Sequence, residues 1–190
     1  MVPHALRALV VVGGILIASA APVFATQVLP ITLPEIARRS EVVVHATVTD
    51  QKVRWSEDGA RILTLTTLKV IDPLKGESLP SEVLVYQVGG SLDGVVFKIP
   101  GAVSLRKGEE VVFFGARFKT MVVSYGMGLG KYQVDRSGKV AMVRPEFGDV
   151  AFVTRDSSGG FLETAAPSQA GMPLAELKRL VRSGGKGGQR

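Results

Sequence analysis

Apolar and polar residues alternate from Val42 onward. Val42, Val44, Ala46 and Val48 fall on one side of an extended chain, and His45, Thr47 and Thr49 on the other. That period of two predicts a strand. "SEDG", Ser56 to Gly59, has hairpin-turn composition. The β-branched and leucine-rich stretch "ARILTLTTLKVIDPLKG" then predicts a second strand, ended by Pro73 and turned at Gly76. "SEVLVYQV" reads as a third strand that stops at Gly89 and Gly90. "GVVFKIPG" reads as a short fourth, an edge strand closed by Pro100 and Gly101. The turn Arg106 to Glu109 leads into a fifth, Glu110 to Ala116, and "TMVVSY" and "KYQVD" add two more. "DRSGK" turns the chain so that "VAMV" pairs back. The stretch from Arg144 to Gln169 is irregular, with one short strand at Val150 to Thr154.

The period is helical only near the two ends. Thr32 can cap a short helix over Leu33 to Arg39, with Pro34 in its first turn and Glu35 reaching back. Near the other end Leu174, Leu177, Leu180 and Val181 form a stripe, and Gly184 and Gly185 stop the pattern. The expected fold is therefore mainly β: a small OB-like barrel of short antiparallel strands, an extra hairpin, a short N-terminal helix and a C-terminal amphipathic helix. "VVFF", Val111 to Phe114, is apolar on both faces. It predicts a cover from the terminal helices or from the segment after residue 144.

The first 25 residues change the picture. His4 and Arg7 precede an apolar run from Ala8 to Ala21, and Val23 and Ala25 occupy the −3 and −1 positions of a small-residue cleavage site. This is the three-part pattern of a secretory signal. The run is short against the roughly 20 apolar residues of a membrane span. The expected organisation is a signal peptide at 1–25, a barrel domain with its short helix at 26–172, a helix at 173–183 and a basic tail at 184–190. The chain is expected to be exported, to the periplasm or beyond. It has no cysteine, so its stability must rest on packing and backbone pairing, and thiol catalysis and thiolate metal ligation are excluded.

The formal charge of +6 is uneven. Lys178, Arg179, Arg182, Lys186 and Arg190 face Glu176 alone, while the body between residues 26 and 173 is close to neutral. A nucleic-acid partner would require a basic face on the folded body, so none is expected. The basic helix leaves two readings: contact with an anionic membrane surface, or packing of its stripe on its own domain.

The strand and turn order carries a resemblance. "SEVVVHATVTDQKV", "ILTLTTLKVIDPLKG", "SEVLVYQVGG" and "LRKGEEVVFFGARF" together resemble the netrin-type module carried by tissue inhibitors of metalloproteinases. The same order of motifs is similar to that of secreted bacterial proteins. The resemblance spans residues 36–118 and implies a five-stranded OB barrel. The inhibitors place a disulfide-bonded N-terminal cysteine on their target's zinc. This chain has no cysteine, so that mechanism is not implied.

Candidate chemistry is sparse. "YGMGLGKYQV", Tyr125 to Val134, has the look of a phosphate loop. A Walker loop, however, would need glycine at Tyr125 and a hydroxyl at Tyr132, and the glycines at 126, 128 and 130 miss the GxGxxG spacing. Phosphate loops also open a helix, whereas "KYQVD" alternates like a strand. The expected reading is a bulged or closely approached backbone. After the signal only His45 remains, read as a surface or partly buried strand residue, and no GxSxG elbow exists. Neighbouring carboxylates, Glu109 with Glu110 and Glu57 with Asp58, point to opposite faces of a strand. No catalytic residue, cofactor or metal is therefore assigned.

Trp55, the sole tryptophan, lies beside Arg54 at the first hairpin turn. It reads either as a cross-strand packing residue or as an exposed anchor for a partner. Tyr86, Tyr125 and Tyr132 carry the same two readings. These five are the candidate partner-binding residues. The expected function is that of a monomeric, secreted, non-enzymatic module binding a secreted or envelope protein. The alternatives are an envelope hydrolase with a carboxylate-only site and a carbohydrate- or anion-binding module.

Overall fold

The computed structural model describes residues 26–148 and 150–184. The signal segment and the last six residues of the tail lie outside the described residues. The chain runs β1 (Thr26–Val28), α1 (Leu33–Arg39), β2 (Val42–Trp55), β3 (Ile62–Lys75), β4 (Glu82–Val88), β5 (Gly90–Leu92), β6 (Val95–Phe97), β7 (Glu110–Phe118) and β8 (Met121–Ser124). A 3-10 turn (Met127–Gly130) follows, then β9 (Lys131–Asp135), β10 (Met142–Pro145), β11 (Val150–Arg155), β12 (Phe161–Glu163), β13 (Met172–Pro173) and α2 (Leu174–Arg182).

Five strands close into a ring in the order β2, β3, β4, β8, β7 and back to β2. All neighbours are antiparallel except β4 and β8, which meet in parallel at Val85 and Val122. This is the expected OB-like barrel. Two of its strands are not short. β2 and β3 each run 14 residues, bent by register shifts at Val43/Val44, His45/Ala46 and Val48/Asp50. Pro73 does not end β3. It sits opposite Val44 at the first of these irregularities, where a residue without an N–H is tolerated.

Alternation along β2 and β7 builds two cores. Val42, Val44, Ala46, Val111 and Phe113 point into the barrel. Val43, Val112 and Phe114 point outward, beneath Ile36 and Ala37 of α1 and Leu174, Leu177 and Val181 of α2. That is why "VVFF" is apolar on both faces, and the cover is the one its pattern called for. The Thr32 cap forms as expected, its hydroxyl accepting the Glu35 N–H at 3.4 Å. The stripe of α2 is spent on the second core, and Lys178 and Arg182 reach Asp72 of β3 at 2.9 and 2.7 Å.

One edge of β7 changes partners midway. Val111 to Phe113 pair with β9, and Gly115 to Phe118 pair with β8. The chain between β8 and β9 must leave and re-enter at Phe114, whose carbonyl accepts the Tyr125 N–H at 3.0 Å. "YGMGLG" is this detour, and β9 begins at Lys131 as a strand. A Cβ on Gly130 would lie 2.8 Å from the Phe114 oxygen and 2.7 Å from that of Tyr125. A Cβ on Gly128 would lie 2.7 Å from the Phe147 oxygen. These approaches leave no room for side chains.

Candidate functional site

Gly89 and Gly90, with φ of 115° and 144°, take the chain out of β4 through a conformation that side chains rarely adopt. It then forms the two-stranded hairpin β5–β6, turned by Asp93 and Gly94, both with positive φ. Such primed two-residue turns match strand twist. Trp55 meets this turn. Its indole N–H donates to Asp93 Oδ2 at 3.2 Å, and 37 % of the residue stays exposed. Trp55 is thus half packed and half presented, with its ring tethered. Arg54 beside it is exposed. All three residues of β6 are exposed, Val96 most, at 72 %.

Between the hairpin and the open end of the barrel lies a depression of about 310 Å³. Its lining is mostly apolar, with Gln51, Thr64, Gln87, Ser104 and Lys98 as the polar members. Gln51 Nε2 donates to Thr66 Oγ1 and to the Leu105 carbonyl, and Gln87 Nε2 donates to the Val103 carbonyl at 2.7 Å. The bonds to Val103 and Leu105 fasten that segment to β2 and β4. Gln87, Ile99 and Val103 also line a second depression of about 220 Å³ beside Tyr86 and Met127. Met127 in turn lines a third, about 440 Å³, with Leu29, Ile31, Leu129, Val153 and Phe161. The first two share Gln87, Ile99 and Val103, and the last two share Met127.

The detour between β8 and β9 supplies Met127, the residue shared by the second and third depressions. Gly126 and Met127 follow one another in the left-handed region, with φ of 69° and 57°. A non-glycine residue there costs on the order of 1 kcal/mol or more. Ser124 holds it by donating to the Met127 carbonyl at 2.6 Å. The glycine pattern therefore shapes a surface.

The candidate residues do not share one face. Trp55, with Arg54 next to it in the chain, meets the β5–β6 turn, whereas Tyr86 lines the 220 Å³ depression and its ring packs 5.3 Å from that of Phe118. Tyr125 and Tyr132 pack against the second core instead. Tyr132 lies 5.6 Å from Phe114, and burial pushes its hydroxyl up to about 12.

Ionisable groups form closed sets. Lys131 is fully buried, and its Nζ donates to Ser104 O, Glu109 Oε2 and Glu146 Oε2 at 2.7, 2.9 and 2.6 Å. Arg106 reaches the other oxygens of both carboxylates. Burial disfavours the charged form of Glu146, but the hydrogen bond and charge of Lys131, with Arg106, outweigh it and hold the carboxyl below its ordinary value. Glu110 points the other way. It accepts from Arg136, the main cause of its lowered pKa, and lies 2.6 Å from His45 Nε2. His45 is fully buried rather than partly exposed, because α2 lies over that face of β2 and β3. Burial is the main force lowering its pKa, opposed by Glu110.

Glu109 and Glu110 thus serve opposite faces: Glu109 shares Lys131 with Glu146, and Glu110 lies against Arg136 and His45. Among the described residues no cluster suits a metal ion, and no helix is long and apolar enough to cross a membrane. Sequence reasoning missed Lys131 as a buried ion. Lys131 follows a loop whose spacing fails the phosphate codes, and no local pattern links it to Glu109 and Glu146, 22 and 15 positions away. It also missed β6 and Phe161 as exposed apolar surface.

A scan against protein-family models finds no match to this chain, and a search of curated proteins finds no relative.

Proposed function

We propose that this chain is an exported, non-enzymatic binding module that recognises another protein at the barrel end bearing Trp55 and the β5–β6 hairpin. The observation that carries the reading is the tethered, half-exposed Trp55 beside a strand whose three apolar residues all face solvent. An aromatic anchor that is rigid before binding loses little entropy on docking, and tryptophan and arginine are over-represented in hot spots. The adjoining depression offers a concave neighbour for a partner's side chain. The resemblance to the netrin-type module supports a binding role for the barrel. The signal-like first 25 residues support a partner in the periplasm or outside the cell.

The test is site-specific photo-crosslinking in the native compartment. A photoreactive side chain at Val96 is expected to capture a discrete protein, and the same group at Gln133, exposed on β9, is expected to capture none. With the captured protein purified, Trp55→Ala should weaken binding by about 30-fold, the scale of a hot-spot residue. Equal capture at both positions, or an affinity indifferent to Trp55, would sink the proposal.

A further inference from the structure

A second surface, remote in sequence from Trp55, has the construction of a strand acceptor. β1, β11 and β12 form a separate three-stranded sheet with β11 in the middle. Among the described residues β12 pairs on one side only, with Val153, Thr154 and Arg155 opposite Glu163, Leu162 and Phe161. Two flanking bonds fix the direction of every main-chain group along it. The Asp156 N–H donates to the Gly160 carbonyl at 3.0 Å, and the Thr164 N–H donates to the Phe152 carbonyl at 2.8 Å. In an antiparallel ladder, hydrogen-bonded pairs alternate with pairs that are not. Gly160, Leu162 and Thr164 therefore turn their peptide groups toward β11. Phe161 and Glu163 turn theirs outward, two N–H donors and two carbonyls on the open edge. All three residues of β12 are exposed.

This edge is held ready. Asp156 Oδ1 accepts the Ser158 and Gly160 N–H groups at 2.9 and 2.7 Å, which fixes the turn that delivers β12. No lysine, proline or bulge interrupts the strand; its short length and Glu163 are the edge protections it carries. Phe161 and Val153 also line the 440 Å³ depression, and none of its lining residues is charged. Phe161 and Glu163 share the face that looks into it.

We propose that β12 accepts an extended peptide segment of a partner by strand addition, with an apolar side chain of that segment entering the depression beside Phe161. The partner's chemistry follows from the face. A residue opposite Phe161 is apolar, and the residue two positions away, opposite Glu163, is lysine or arginine, because cross-strand pairs of opposite charge are favourable. Main-chain bonds supply affinity and the depression supplies selectivity, as in other strand-addition complexes. The inference rests on the reading of the chain as a protein-binding module, but not on Trp55.

The probe is a phage-displayed library of random dodecapeptides, selected on the full chain, with the recovered sequences made as synthetic peptides. Recovery of sequences with an apolar residue and a basic residue two apart is expected. Glu163→Pro deletes an outward donor and no bond of the β11–β12 ladder, so it should weaken those peptides about tenfold or more. Glu163→Gln keeps the donor and should cost about threefold. Trp55→Ala should leave them unchanged, which separates failure of this site from failure of the barrel end. Hydrogen exchange in the unsubstituted chain gives a second readout, with the Phe161 and Glu163 amides slowing when peptide is added. Selection of no peptide above background, binding indifferent to Glu163→Pro, or no slowing of those two amides would overturn the proposal. So would a β12 edge occupied by a second copy of the chain, seen as a dimer that Glu163→Pro dissolves.

Discussion

Replacing Lys131 by methionine removes a fully buried ammonium and leaves its shape nearly filled. The Nζ holds Glu109 and Glu146 at 2.9 and 2.6 Å and caps the Ser104 carbonyl. The loss leaves two carboxylates and a carbonyl short of a donor. Breaking a buried pair by removing one partner costs about 3–5 kcal/mol. Arg106 still lies 3.0 Å from each carboxylate, though it is 62 % exposed, so the lower end, about 3 kcal/mol, is the expected loss. For a domain of this size that lowers Tm by roughly 6–12 °C. The assay is urea and thermal unfolding of the single Lys131→Met variant and of a triple variant that adds Glu109→Gln and Glu146→Gln. The triple variant leaves only the exposed Arg106 without its carboxylate partners and no buried charge orphaned, so it should recover most of the loss, because a neutral replacement of a buried ion set is often close to neutral in stability. The linkage has a definite sign. Glu146 is depressed below its ordinary value of 4.5, so it stabilises the fold above that pH and the contribution is lost as pH falls through its folded value. Lys131→Met should flatten this acid dependence. A single variant within about 1 kcal/mol of the parent, or a triple variant no better than the single, would refute the account.

Two further outcomes follow from the same geometry. Gly130→Ala and Gly128→Ala each force a Cβ to within 3 Å of backbone oxygens, and each should lose about 1–3 kcal/mol in denaturant titrations. Gly138→Ala, whose nearest neighbour is 3.8 Å away, should stay within about 0.5 kcal/mol. His45 is held below its ordinary 6.5 by burial first, then by the charges of Lys178 and Arg136, against the opposing pull of Glu110. The unfolded chain then takes up the proton first, so stability falls as pH drops below about 6.5. An imidazole titration followed by NMR should place His45 below 6.5, and His45→Gln should remove that part of the pH slope. A His45 signal titrating at 6.5 would abolish the effect, and one above 6.5 would reverse its sign.

What was legible in the sequence was whatever a single element decides for itself. The Thr32 cap, the alternation of Val42 to Val48 and the stripe of α2 need no knowledge of distant residues, and each forms as its pattern implied. Ring closure was legible only through the order of strands and turns. Pro73 misled because its tolerance depends on a register shift against Val44, a property of two strands together. The glycine loop was legible in kind, as closely approached backbone, but not in cause. Its spacing could be tested against phosphate codes and rejected, but its cause lies at Phe114, where β7 exchanges β8 for β9. A strand that changes neighbours forces the connecting chain into contact with backbone, and only glycine fits there. The candidate surfaces are emergent in the same sense. Trp55 is held by Asp93, thirty-eight positions away, and Phe161 shares a depression with Leu29. No window along the chain contains either pair. Residues that specify a fold act through local period, whereas residues that present a surface act through what the fold leaves uncovered. For this chain the second set is therefore best sought at strand edges with unspent backbone groups.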